Sequence, residues 1–299
     1  MQVRRVHPTE NANTVATMQI KRLVARWSPG HAIPLFVFDA GYDPVQLTQG
    51  LGPTPAAILV RLRSDRCFYA DPPPYRGTGR PRRHGPKSVC RNPTTWPAPT
   101  AVYQCDDPQY GQVQVRAWAG LHPVGQNHAT RGTRQPRPIV RGTLIRVEVS
   151  RLPRETRQPQ VLWLWWHGPG TPDLAVVWRA YVRRFDLEHT FRFLKQTLGW
   201  TAPRVRYPEQ ADRWTWLVTL AYTQLRLARP AVADRRLPWE RPLPRGKLTP
   251  CRVRRAFSQL RPALGTPASP PKPCGRSPGR PKGRRSGAAP RYPAIKLRC

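Results

Sequence analysis

The sequence predicts an α/β fold with a β-rich middle and a basic C-terminal tail. Two short, wholly apolar runs, "LFVF" at 35–38 and "AAILV" at 56–60, have the length and composition of strands buried on both faces. Segments with apolar residues at helical spacing precede them and return after residue 172. Beyond Gly265 the chain is built from Pro, Gly, Ser, Lys and Arg, a composition with nothing to bury and therefore expected to be disordered.

Residues 12–27 read as an amphipathic helix with Val15, Met18, Ile20, Leu23 and Val24 on its apolar side. The strand "IPLFVF" then ends in Asp39, with Gly41 just after it, and "AAILVRLR" at 56–63 forms a second strand. From Asp65 to Ser150 the pattern breaks into short β-like pieces, "QVQVRAWAG" and "TLIRVEVSRL", separated by Pro, Gly and Arg. "VLWLWW" at 161–166 follows. One continuous helix is expected from about Pro172 to Leu198, a second over 208–228, and a third from Thr249, the N-cap, with Pro250 at the first helical position. The expected organisation is an N-terminal α/β part (1–64), a β-rich insertion (65–171), two core helices (172–230), a basic helical segment (231–265) and the tail (266–299).

The 51 Lys and Arg residues outnumber the 16 Asp and Glu, for a formal net charge of +35. Such a charge repels itself unless a polyanion neutralises it, and nucleic acid is the partner it implies. Most of the cations are Arg, the better bidentate ligand for phosphate. No basic amphipathic helix offers a clean apolar face to lipid, and no apolar run has the roughly 18 residues a membrane span needs. The six Cys residues form no C-x-x-C pair, so a structural zinc site is not expected and free thiols are. His84, His122, His128 and His167 fall in expected loops with no pattern of metal ligands.

The stretch "YVRRFDLEHTFRFLK", 181–195, is the most informative. At roughly 100° per residue, one stripe of a helix carries Tyr181, Arg184, Glu188, Arg192 and Lys195. The opposite side carries Val182, Leu187, Phe193, Leu194 and Leu198, a face expected to be buried. The stripe reads either as a solvated ladder of i,i+4 ion pairs, each contributing about 0.3 kcal/mol, or as a catalytic carboxylate flanked by phosphate-binding cations. Asp39 favours the second reading, because open α/β sheets place their chemistry at the C-terminal ends of strands. A strand-end Asp and a helix-face Glu brought within about 8 Å would form an oxygen-rich site for Mg²⁺ or Mn²⁺. Two such ions run in-line displacement at phosphorus.

The spacing Y-x2-R-x3-E-x6-K is met once, by Tyr181, Arg184, Glu188 and Lys195. It resembles the signature around the catalytic Glu of DDE transposases of bacterial insertion sequences, the cut-and-paste group whose core is interrupted by a β-strand insertion. "FVFDAGYD" resembles the segment carrying that group's second catalytic Asp. The resemblance covers about residues 12–230 and implies an RNase H-like core with two Mg²⁺ (or Mn²⁺) ions held by three acids, of which Asp39 and Glu188 would be two. It further implies that Arg184, Arg192 and Lys195 bind DNA phosphates, that Tyr181 positions the same strand, and that a Trp of the insertion stacks on a flipped base. Trp163 and Trp165 are the candidates, although plain core packing is the favoured account of that tract. The implied partner is double-stranded DNA, transposon ends and target, bound by a homodimer in the bacterial cytoplasm at the nucleoid, with neither membrane nor small-molecule substrate.

Residues 1–38 hold no Asp and a single acid, Glu10, whereas the family places its first Asp on a strand upstream of the 12–27 helix. The core is thus expected to lack its first strands, as in a truncated copy, an internal start or one segment of a split gene, and to be inactive alone. The alternative is a DNA-binding, non-catalytic truncated transposase acting as inhibitor or partner of a full-length copy. In the tail, "PGRPKG" with Arg280 and Lys282 resembles the core of an AT-hook, which enters the A·T minor groove, against the alternative of a non-specific cationic tail.

Overall fold

In the computed structural model, which describes residues 3–27, 32–75, 77, 79–123, 139–152, 160–244 and 246–260, the chain divides into two units. One is Val6–Phe185; the other is Asp186–Cys299 together with Met1–Arg5. The tail positions Arg280 and Lys282 lie outside the described residues, as does the expectation of disorder over 266–299.

The first unit grows around β2 (Ala57–Leu62), an apolar strand with every residue but Arg61 buried. On one side it pairs in parallel with β1 (Leu35–Phe38), Phe38 standing opposite Val60. On the other it pairs antiparallel with β8 (Gln160–His167), Leu62 opposite Trp163. Side chains alternate across a strand, so β2 feeds two cores. Ile58, Val60 and Leu62 pack under α1 (Ala12–Val24) and α2 (Pro44–Leu51) through Ala16, Ile20, Leu47 and Leu51. Ala57 and Leu59 pack under α3 (Leu174–Arg183) through Leu174, Val177, Trp178 and Tyr181. The result is a mixed α/β fold with a central mixed sheet, consistent with the RNase H-like core implied above.

The sheet continues through β7 (Gly142–Val149) and β6 (Gly111–Pro123) to β3 (Cys67–Tyr69) and β4 (Lys87–Val89), with β5 (Ala101–Asp107) beside β6. β8 bonds directly to β2, so strands placed by sequence in an insertion share one sheet with the N-terminal strands. β1 is an edge strand, and its residues are half-buried.

Helix α2 was not expected from the sequence. Asp43 caps it, accepting from the N–H groups of Val45 and Gln46, and Pro44 sits at its first position. The Asp43 N–H donates to Asn13 Oδ1 and so fastens α2 to α1.

The expected single helix over 172–198 is two helices. α3 ends at Arg183 and α4 (Phe185–Gln196) begins after Arg184, and the boundary between the units falls between Phe185 and Asp186. One helical wheel therefore does not describe 181–195. Leu187, expected to be buried, is 46 % exposed, whereas Leu194 is buried and Phe193 and Leu198 are half-buried.

The second unit is built on α4, α5 (Pro208–Ala228) and α6 (Pro250–Ala256), with Leu225, Val232, Leu248 and Val253 in its core. Thr249 caps α6 as the sequence predicted, accepting from the Arg252 N–H. Two Arg residues of α6 hold the preceding loop: Arg252 pairs with Asp234 at 2.7 Å, and Arg255 grips both oxygens of Glu240 at 2.6 and 3.0 Å. The Arg255 hydrogen bonds, then the Leu237 N–H, pull the Glu240 carboxyl down to about 2 from its ordinary 4.5. A carboxyl lowered on folding contributes stability above its unfolded value, and that contribution is lost as pH falls toward the folded value. Thermal unfolding of the wild type and of Glu240→Gln should therefore converge between about pH 4.5 and pH 2, the variant being less stable only at the upper end. A gap that is constant with pH would mean that Glu240 supports the loop by packing rather than by charge.

Candidate nucleic-acid interface

Asp39 leaves the sheet at the C-terminal end of β1, where β1 and β2 end side by side. Its side chain is about half exposed, at 51 %. Oδ1 accepts from the Gly41 N–H at 2.9 Å, and a Cβ at Gly41 would lie 3.1 Å from that oxygen, so glycine is what lets the turn close onto the carboxylate. Oδ2 stands 3.9 Å from an Arg184 guanidinium nitrogen. Burial, then the Asp39 charge, raises the Tyr42 phenol above its ordinary value, and the Tyr42 ring lies 4.8 Å from that of Phe38.

Arg184 reaches Asp39 from the C-terminus of α3, and its guanidinium lies over the rings of Tyr181 and Phe185 at 5.7 and 5.8 Å. Tyr181 is 1 % exposed, and its hydroxyl is buried without a hydrogen-bond partner among the described residues. It thus acts here as a core side chain and a floor for Arg184, where the resemblance implied a contact with DNA. The signal was present in the sequence: Leu174, Val177, Trp178 and Tyr181 follow the i, i+3, i+4, i+7 spacing of a buried helix face.

Glu188, Arg192 and Lys195 are exposed on α4 and belong to the second unit, whereas Asp39, Tyr181 and Arg184 belong to the first. Trp163 and Trp165 are core residues, 3 % and 0 % exposed. Trp163 stacks on Trp118 and meets Trp96 edge-on, and Trp165 stacks on Phe68. Core packing, the favoured account of that tract, is what the structure shows for both.

Two of the histidines read as loop residues are strand residues, His122 in β6 and His167 in β8. His122 is fully buried, with Nε2 2.9 Å from His84 Nδ1. Burial, then the neighbouring His84, lowers its pKa, so the neutral ring is favoured. Asp71, at 3.8 Å from His122 Nδ1, is paired with Arg141, whose hydrogen bond lowers the carboxyl.

Among the described residues no group of three or more His, Cys, Asp or Glu is placed to hold a metal ion. Asp39 is engaged by a backbone N–H and a guanidinium, both of which compete with a cation for its oxygens. The described residues around Asp39, one carboxylate with a guanidinium beside it, do not by themselves fit a two-ion centre. No helix among the described residues is long and apolar enough to cross a membrane.

No curated protein matches the chain. Residues 2–124, a span that contains Asp39 and ends before Glu188, match the family model described as DDE superfamily endonuclease, and over that span the chain is similar to this family of DNA-cutting enzymes.

Proposed function

We propose that this chain is a DNA-binding transposase polypeptide of the DDE type, with Asp39 and Glu188 in the positions of the family's second and third acids, and that it does not cut or join DNA by itself. The observation that carries the reading is the strand-end Asp39 held by Arg184 in a fold and a sequence span similar to DDE endonucleases. Arg184, Arg192 and Lys195 are its phosphate-binding cations, and the net charge of +35 supports a polyanionic partner. Transposon-end DNA from an insertion sequence is the substrate that the Y-x2-R-x3-E-x6-K spacing favours. Ligand supply supports the expected absence of cleavage. In-line displacement with two ions needs oxygens to bridge and orient both, and the described residues offer no such cluster.

The test is to incubate the purified chain with a labelled transposon-end duplex and Mg²⁺ or Mn²⁺, reading binding by gel shift and cleavage on a denaturing gel. Binding without cleavage is expected, and Glu188→Gln should leave binding within about twofold, since removing an exposed acid changes phosphate contacts little. Metal-dependent nicking that disappears in Glu188→Gln would overturn the second half of the proposal. Failure to bind DNA at low salt would overturn the first.

A further inference from the structure

The end of the sheet that carries Asp39 also carries a basic groove. β1 and β2 run parallel with Phe38 opposite Val60, so continuing the register by one residue brings Asp39 level with Arg61. Arg63 follows just beyond, roughly 7 Å farther along the chain at about 3.3 Å per residue. From there the chain turns through Asp65 and Arg66 into β3. β3 pairs antiparallel with β4, Tyr69 opposite Lys87, which places that aromatic ring and that ammonium on one face. Arg63, Asp65, Arg66, Cys67, Tyr69 and Lys87 line an open groove of about 610 Å³. That volume falls within the roughly 300–1,000 Å³ of pockets that hold one small ligand or one unit of a polymer.

The lining has the chemistry of a strand-binding site. Three cations face a single carboxylate, and none of the three forms an ion pair among the described residues. Their charge is thus left for a ligand. The Tyr69 ring packs beside His84 and His122, at 5.1 and 6.4 Å between ring centres, which hold it in place as a platform. Cationic grooves with an aromatic platform bind single strands by backbone charge and base stacking, each stacked base contributing about 1–3 kcal/mol.

We infer that this groove holds an unpaired stretch of a DNA strand, its phosphates on Arg63, Arg66 and Lys87 and a base against Tyr69, on the Asp39 side of the sheet. The inference rests on the DNA-binding reading above and adds a location to it. Cys67 supplies a native probe, because its thiol is half-exposed in the groove, while Cys105, also half-exposed, sits on β5 outside it.

The experiment follows alkylation of the full chain by iodoacetamide, with each cysteine read by peptide mass mapping. The ligands are an oligothymidylate of about 20 nucleotides, the same length of duplex, and thymidine monophosphate. At oligonucleotide about ten times its dissociation constant, mass action predicts that Cys67 reacts about tenfold more slowly, with Cys105 unchanged. The triple variant Arg63→Gln, Arg66→Gln, Lys87→Gln should lose the protection. A control carrying Lys21→Gln and Arg22→Gln on α1 and Arg26→Gln in the turn after it loses the same charge and should keep it. Tyr69→Ala should weaken single-strand binding about tenfold, and Tyr69→Phe should restore it.

Three results would overturn the inference: DNA bound by anisotropy with Cys67 unprotected, protection by the monophosphate as strong as by the oligonucleotide, or equal loss in both triple variants. The first leaves the DNA-binding proposal standing, whereas absence of any DNA binding would remove both, so the two failures are distinguishable. Circular dichroism of each variant checks that the exposed substitutions leave the fold intact.

Discussion

Raising the salt concentration from 50 to 200 mM is expected to weaken DNA binding about a thousandfold or more. Each phosphate neutralised by a Lys or Arg releases condensed counterions, so the logarithm of affinity falls linearly with that of salt, with a slope of about −0.9 per contact on duplex DNA. The chain's excess of 35 positive charges makes at least six such contacts easy to supply. Arg63, Arg66 and Lys87 of the groove, Arg184 beside Asp39, and Arg192 and Lys195 on α4 would already supply that number. Neutralising the three groove residues should lower the slope by about 2–3. Deleting 266–299 removes Lys272, Arg276, Arg280, Lys282, Arg284 and Arg285 among others, and should lower both affinity and slope while unfolding by urea is unchanged. Titrations by fluorescence anisotropy at several salt concentrations measure these slopes. A slope near about −2 would mean that only two phosphates are contacted, and the charge would need another explanation.

Local patterns carried much of this fold into the sequence. β1 and β2 were legible because uninterrupted apolar runs of four to six residues have few other uses. α5 and α6 were legible because Tyr207-Pro208 and Thr249-Pro250 mark their starts. Asp43-Pro44 gives the same signal for α2, but its eight residues make only about two turns, too few for a clear amphipathic repeat. The break at Arg184 left no mark, since no Pro or Gly stands there and its φ of −59° and ψ of −27° are still helical. The pairing of β8 with β2 joins residues about a hundred positions apart, and no local pattern records such a contact. For the site, the strand-end position of Asp39 could be read from "FVFD", but its engagement by Arg184 could not, because it depends on where α3 lies on the sheet. Tyr181 shows the opposite failure: the motif grouped it with the charged stripe, while the α3 periodicity placed it in the core.

Replacing Trp165 by Ala should cost the first unit about 3–5 kcal/mol, the usual range for deleting a buried aromatic. Trp165 is 0 % exposed at the middle of the sheet, opposite Val60 of β2 and Leu144 of β7. Its ring lies 5.6 Å from that of Phe68 with the planes 18° apart, so it joins the β3–β4 end of the sheet to the core beneath α1 and α2. Gly142 is shaped to it: a Cβ there would stand 2.3 Å from the indole Cζ2, too close for any side chain without moving the ring. Since a domain's net stability is about 5–15 kcal/mol, this one truncation would remove a large share of it. The indole Nε1 has no hydrogen-bond partner among the described residues. Trp165→Phe therefore gives up volume but relieves a buried donor, whose lack of a partner costs about 1–3 kcal/mol, and should cost much less than the Ala variant. Gly142→Ala should destabilise through the same ring from the opposite side, and it should be less harmful in the Trp165→Phe background, because the Cβ then meets a smaller side chain. Urea unfolding followed by circular dichroism gives all four values. If Trp165→Ala cost under about 1 kcal/mol, the indole would have to be surface-bound rather than a core strut, and stacking on a DNA base would again become the better account of the Trp tract.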